Sequence, residues 1–296
     1  MKLIKPSFEI WEQPSGLEGV YKQIEGAGRV CYKSEDKIAE GTAKAFVDRM
    51  IASGHGAMLE HGTVYLKCKT EVINRYIHPE DGEEEDFNKL EKYEYNSYSV
   101  TNDDGIYLYV TTNLRVLVEN DWLDDLQYIC EPTEFHEKRI TVHFVCDRGV
   151  SHEFVRHRVM SFAQESTRYC NYSKDKFGNE LTFIQPCWLD DERLKLYGPY
   201  HTVIRDKSLE SIFIASLNNA EKDYIDLIDL GWKPQEARAV LPNSLKTELV
   251  VTGFVSDWNH FFDLRARGTT GAPHPQAKEL AEPLMKEFIA RKYINN

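Results

Sequence analysis

Several protein classes are excluded by what this chain lacks. Its six cysteines, Cys31, Cys68, Cys130, Cys146, Cys170 and Cys187, form no CxxC pair. Neither a zinc ribbon nor a small disulfide scaffold is therefore indicated, and a reducing, cytoplasmic compartment is the expectation. No apolar run approaches the length of a membrane span, and the start Met1-Lys2-Leu3-Ile4-Lys5-Pro6 leads into no signal-peptide core. The ten histidines contain no HExxH, so no metal site is expected and a metal-dependent hydrolase is a poor reading. Positive charge is scarce as well: 36 Lys and Arg stand against 48 Asp and Glu, a formal net charge of −12. A general nucleic-acid binder needs a basic face to displace counterions, so that class is disfavoured too.

With 42 % hydrophobic and 28 % charged residues, the composition is that of a globular protein with an enzyme-sized core. Without a repeat or a long Gly/Ser linker, residues 1–296 read as one domain with an insertion at about 70–139. Apolar spacing predicts a helix over about 36–53, carrying Ile38, Phe46 and Met50 and stopped by Gly54. Strands are predicted around Val64 and Leu66, over 106–110 and over 140–145, with a helix from about Leu114 to Ile129. Further helices are expected from Leu209 to Gly231, over 256–266 and over 276–291. The acidic block Glu80 to Asp86 reads as a solvated loop. Strands and helices without regular alternation indicate an α+β fold.

The segment from Asp147 to Phe162 is the most informative. It is read as a helix with Ser151 as N-cap, because Val155, Val159 and Phe162 then share one stripe. At about 100° per residue, Arg156 and Arg158 would flank that stripe and His157 would lie opposite. Such arginines can simply lie along the surface with their heads in water. Yet Arg148, Arg156, Arg158 and Arg168 crowd together in an acidic chain, and guanidinium groups suit phosphates and carboxylates. The neighbouring Gln164-Glu165-Ser166-Thr167-Arg168-Tyr169 adds an amide, hydroxyls and charge able to recognise a nucleotide. Two anionic ligands, or one site approached from neighbouring subunits, fit this arrangement.

Arg156-His157-Arg158, followed after seven residues by Ser166 and then Arg168-Tyr169, resembles the signature of the flavin-dependent thymidylate synthases, the ThyX family. His55 with Glu60-His61 resembles the family's upstream element. Ala237-Arg238-Ala239-Val240-Leu241-Pro242, Thr247 and His260-Phe261-Phe262-Asp263-Leu264-Arg265 resemble its C-terminal block. The resemblance implies a ThyX-type α+β fold, a mixed sheet packed with helices, and a homotetramer with active sites between subunits. It implies dUMP contacts at Glu153, Phe154, Val155, Arg156, Gln164, Glu165, Ser166, Thr167, Arg168 and Arg238. Arg265 would be the catalytic residue, facing the uracil ring. FAD contacts are implied at His55, Arg156, His157, Arg158, Gln164 and His260, with NADPH and methylenetetrahydrofolate as co-substrates. Ala57, Phe254, Ser256 and Glu153 depart from the residue types usual in the family. The implied reaction is reductive methylation of dUMP to dTMP; an inactive member that only binds nucleotide is the alternative.

Two residues look like nucleophiles. Pro186-Cys187 resembles the Pro-Cys of the other, unrelated thymidylate synthases, yet a lone cysteine is more often structural. Ser166 would need an activating base, and no triad is evident, so it is assigned to binding.

Overall fold

The computed structural model describes residues 1–70, 89–189, 191–195 and 208–295. The acidic block at 80–86 lies outside the described residues. In chain order the strands are β1 (Lys2–Ile4), β2 (Ser7–Trp11), β3 (Thr63–Lys69), β4 (Val100–Asp103), β5 (Tyr107–Asn113), β6 (Arg139–Asp147), β7 (Ser161–Gln164), β8 (Thr182–Ile184) and β9 (Lys246–Phe254). The described α-helices are α1 (Gly16–Tyr32), α2 (Thr42–Ala52), α3 (Gly56–Leu59), α4 (Leu114–Glu119), α5 (Arg148–Phe154), α6 (Asp191–Lys195), α7 (Leu209–Asp229), α8 (Pro234–Ala237), α9 (Val255–Phe262) and α10 (Pro275–Ala290).

The centre is a four-stranded antiparallel sheet in the order β2-β6-β9-β7. Because β6 and β9 lie inside this sheet, both of their faces are covered, and their sequences read as nearly continuous apolar runs. On one face, Val142, Phe144, Leu249 and Val251 pack under Trp258, Phe261 and Phe262 of α9 and Leu280, Leu284 and Phe288 of α10. On the other, Ala163 and Val250 join a core built from α1, α2, β3, β5 and α4. Strand β5 pairs with β3 along its whole length, and β4 pairs with β5. Part of the expected insertion, 100–119, thus supplies two strands and a helix to this part of the fold. A third cluster joins β8 to α7 through Phe183, Ile214 and Tyr224.

Three predicted elements differ. The helix expected over 36–53 begins only at Thr42, after a 3₁₀ turn at Glu35–Lys37. The helix expected from Leu114 to Ile129 is broken: α4 ends at Glu119, Asp121 is left-handed at φ 60°, and a 3₁₀ turn follows. At the break Trp122 packs on Tyr93, ring centroids 4.8 Å apart, and its backbone N–H donates to Leu117 O at 2.7 Å. Most consequential, the helix expected over Asp147–Phe162 stops at Phe154. Its N-cap is Asp147, not Ser151, with Asp147 Oδ1 accepting from Val150 N at 2.7 Å. Residues 161–164 instead form β7 on the edge of β9, so sheet pairing prevails over helical periodicity. Val155 and Val159 are left exposed.

Candidate active site

The loop between α5 and β7 forms one wall of a cleft of about 980 Å³. Phe154 anchors the start of this loop, its ring 5.0 Å from those of both Phe144 and Phe261. Asp147 at the other end of α5 also accepts from Gln276 Nε2 at 2.6 Å, tying α5 to α10. Val159 has φ 71°, a backbone region costly for a β-branched residue, and Met160 then turns inward to be buried. The conformation leaves Arg156 and Arg158 exposed while His157 is buried.

The opposite wall comes from the end of α9. After Phe262 the helix widens into one π turn, Asp263–Arg267, which ends at Gly268. Gly268 has φ 71°, and a Cβ there would come within 2.9 Å of Gly271 O and of Pro273 Cδ. Only glycine therefore lets residues 270–274 fold back along the cleft. The π turn aims Arg265 at the arginine loop, where all three guanidinium nitrogens are engaged. Nε donates to His157 Nε2 at 3.0 Å, Nη2 to the carbonyl of Glu153 at 2.8 Å, and Nη1 to the Glu153 carboxylate. Of five guanidinium N–H groups, two remain for a ligand.

An arginine cannot accept a hydrogen bond, so His157 Nε2 must carry a lone pair. Burial, and then the charges of Arg265 and His260, hold the His157 imidazole down at about 4. His260 stands edge-on to His157, ring centroids 5.8 Å apart, and lines the same cleft. Asp257, one turn before His260, has its carboxyl pushed up by burial and accepts from Phe254 N at 3.1 Å.

Six of the residues proposed from sequence thus line one cleft: Glu153, Arg156, His157, Arg158, His260 and Arg265. Phe154 lies in the core behind it, and Val155 is exposed on the loop. The others gather at the far end of β7. Gln164 donates to Ser151 Oγ at 2.8 Å and Thr247 Oγ1 at 3.2 Å. Glu165 is buried, held by Lys246 Nζ at 2.8 Å and the Tyr172 hydroxyl at 2.9 Å. Ser166 N bonds Cys31 O at 2.9 Å, and Arg238 Nη1 reaches Thr167 Oγ1 at 3.2 Å. Arg168 is exposed, its guanidinium 5.5 Å from the ring of Tyr169. Gln164 thus touches α5 two residues before Glu153, while Glu165 to Arg168 continue beyond the end of β7. His55 is exposed between α2 and α3, its Nδ1 3.4 Å from Met50 Sδ.

His61 is fully buried instead, its Nδ1 2.9 Å from Thr252 Oγ1, and burial and Arg139 hold it down at about 3. Both His61 and His157 are ordinarily protonated below 6.5 when exposed. Between that value and about 4 the unfolded chain binds more protons than the folded one, so their contribution to stability is intact above pH 6.5 and lost as pH falls toward 4. Urea midpoints should drop across this window, and His61→Gln should flatten the drop; an unchanged slope would contradict the buried neutral state.

Sequence reading missed Val159, Met160, Asp257, Leu264 and residues 270–274, which also line the cleft. Asp257 carried a signal, standing three residues before His260 on one helical face. Residues 270–274 carried none, since their place depends on the π turn. Cys187 is exposed and lies outside the cleft, and burial raises its thiol pKa. Among the described residues no three His, Cys, Asp or Glu side chains gather as a metal site, and no helix is long and apolar enough to cross a membrane.

With this geometry in view, the family model described as thymidylate synthase complementing protein matches residues 121–291. The chain belongs to this family. The matched span of the thymidylate synthase complementing proteins contains both walls of the cleft. A flavin-dependent thymidylate synthase of Pyrococcus furiosus is 32 % identical over 149 residues, 50 % of this chain and 53 % of that protein. One from Corynebacterium aurimucosum is 25 % identical over 279 residues, covering 93 % of this chain and 78 % of its own. The chain spans about half the length of the first curated relatives it matches. A solved UMP/dUMP methylase of Streptomyces cacaoi, bound with 5-Br dUMP, covers 98 % of this chain and 93 % of its own at 17 % identity and TM-score 0.43, a likeness too loose to transfer anything.

Proposed function

We propose that this chain is a flavin-dependent thymidylate synthase that converts dUMP to dTMP in the cytoplasm, using methylenetetrahydrofolate as carbon donor and NADPH as reductant. The observation that carries this reading is Arg265, fixed from three sides in a cleft lined by Arg156 and Arg158, with two N–H groups left over. A guanidinium so fixed can favour negative charge on a uracil ring when its C5 carbon attacks the one-carbon donor, at no cost of reorganisation. The C5 hydrogen must then leave as a proton. His157, neutral and bonded to Arg265, keeps the guanidinium oriented without placing a second positive charge beside it.

The cleft suits a flavin nucleotide in size and donor chemistry. At about 980 Å³ it reaches the upper range of cofactor pockets. Arg158 has no ion pair among the described residues, and exposed Arg156 has only a long one, so both can meet phosphate groups, with His157 and His260 presenting ring edges. Flavin, when bound, supplies hydride for the new methyl group. Ala57, Phe254 and Ser256 carry no charged side chain and do not line the cleft.

We assign Glu153, Arg156 and Arg265 to the uracil side of the substrate and Gln164 to Arg168 with Arg238 to its phosphate side. Because His55 and Gln164 do not line the cleft of one copy, the reading includes a homotetramer in which neighbouring copies complete each site and bring these residues toward the flavin. Residues 1–296 act as one domain, with about 70–139 as an insertion. Arg265→Ala and Arg238→Ala proteins, each strongly impaired alone, should regain dTMP formation when mixed under conditions that exchange subunits. A monomer in sedimentation, or no recovery in proven mixed oligomers, would contradict the shared site. Nucleotide binding without turnover would instead favour the inactive-member reading.

A further inference from the structure

Glu153 carries two duties that the geometry separates. Its backbone carbonyl accepts from Arg265 Nη2 at 2.8 Å, and with His157 Nε2 it holds the guanidinium by two bonds that need no charge on Glu153. Its carboxylate does something different. One oxygen bonds Arg265 Nη1, and the other lies 3.9 Å from Arg156 Nη1. A single acidic side chain, one-third exposed, is thus shared by two cations that face the cleft. The other carboxyl lining the cleft, Asp257, is turned to the backbone of Phe254.

We infer that the Glu153 carboxylate is a resident counter-ion, which an incoming anionic ligand replaces at Arg265 and Arg156. Ligand entry is then an exchange of one negative group for another, and the residue lowers affinity for anionic nucleotides while the cleft is empty of them. Arg265 keeps its place during the exchange because the carbonyl and His157 bonds remain. Affinity and selectivity for negative charge are therefore set by a residue three positions before the arginine segment. The identity of the ligand as a uracil nucleotide rests on the proposed function; the exchange itself requires only an anion.

The test compares wild type, Glu153→Gln and Glu153→Asp by calorimetric titration with dUMP and with deoxyuridine, at low and high salt. Glu153→Gln keeps the size of the side chain and the carbonyl bond but removes the charge. It should bind dUMP about tenfold tighter at low salt, equivalent to about 1.4 kcal/mol, with the gain shrinking at high salt. Glu153→Asp should stay near wild type. A gain for dUMP alone would support replacement by a negative group, and a parallel gain for deoxyuridine, which is uncharged at neutral pH, would overturn the inference. Unchanged or weaker dUMP binding by Glu153→Gln would overturn the inference, leaving Glu153 a positioning residue. If wild type binds no dUMP, the proposed function fails instead; inorganic pyrophosphate titrated into the same pair then decides the exchange, tighter binding by Glu153→Gln supporting it and equal binding overturning it.

Discussion

Arg265→Ala is expected to lower kcat/KM for dTMP formation by roughly 10²–10³-fold, the cost of losing one preorganised charge-stabilising donor. The mutation removes a cleft-lining guanidinium with two unengaged N–H groups, and it also leaves His157 without the donor that accounts for its unprotonated Nε2. The His157 imidazole, held down in part by that guanidinium, should rise toward its ordinary range, a shift that nuclear magnetic resonance can follow. Arg265→Lys keeps a charge but cannot span His157, the Glu153 carbonyl and a ligand together, so it should recover only part of the loss. Cys187→Ala is the control, because the Cys187 thiol is raised and not activated, and lies outside the cleft. It should remain within roughly twofold of wild type, since an inert thiol contributes no nucleophile. Loss of activity in Cys187→Ala with retention in Arg265→Ala would reverse the assignment of chemistry.

Trp258→Ala should have the largest effect on stability, about 3–5 kcal/mol, as expected for truncating a fully buried large aromatic side chain. Trp258 has no exposed surface and packs among Phe144, Phe261, Phe262 and Phe288. Its Nε1–H donates to Ile140 O at 3.0 Å, so the indole joins α9 to the central sheet by both packing and a hydrogen bond. Against a typical total of about 5–15 kcal/mol, such a loss would bring the urea midpoint down sharply. The cleft should suffer with it, because Asp257 and His260 flank Trp258 on the same short helix. Trp258→Phe, which keeps a ring but not the N–H, should fall between. A change below about 1 kcal/mol would mean that α9 is not anchored through this core.

The parts of the fold legible from sequence are those whose apolar pattern agrees with their final contacts. Helices α7 and α10 and strand β6 fall where periodicity places them because each buries the face its sequence marks. The arginine segment shows where this breaks down. Val155, Val159 and Phe162 have helical spacing, yet β9 offers an open edge that residues 161–164 join, and no local pattern encodes that edge. The motif still named the right neighbourhood, since Arg156, His157 and Arg158 do line the cleft. What it could not show was the tie between His157 and Arg265, 108 residues apart in the chain. Glu165 gives the complementary lesson. It stands among residues that look ligand-facing, but a lysine 81 residues away holds it inside the protein.

The most direct measurement is dTMP formation by the purified protein with dUMP, methylenetetrahydrofolate and NADPH, each omitted in turn, while its absorbance is followed for bound flavin. The account predicts a flavin spectrum that bleaches with NADPH, and dTMP that appears only when all three substrates are present. A colourless protein that makes no dTMP even with added FAD would contradict it.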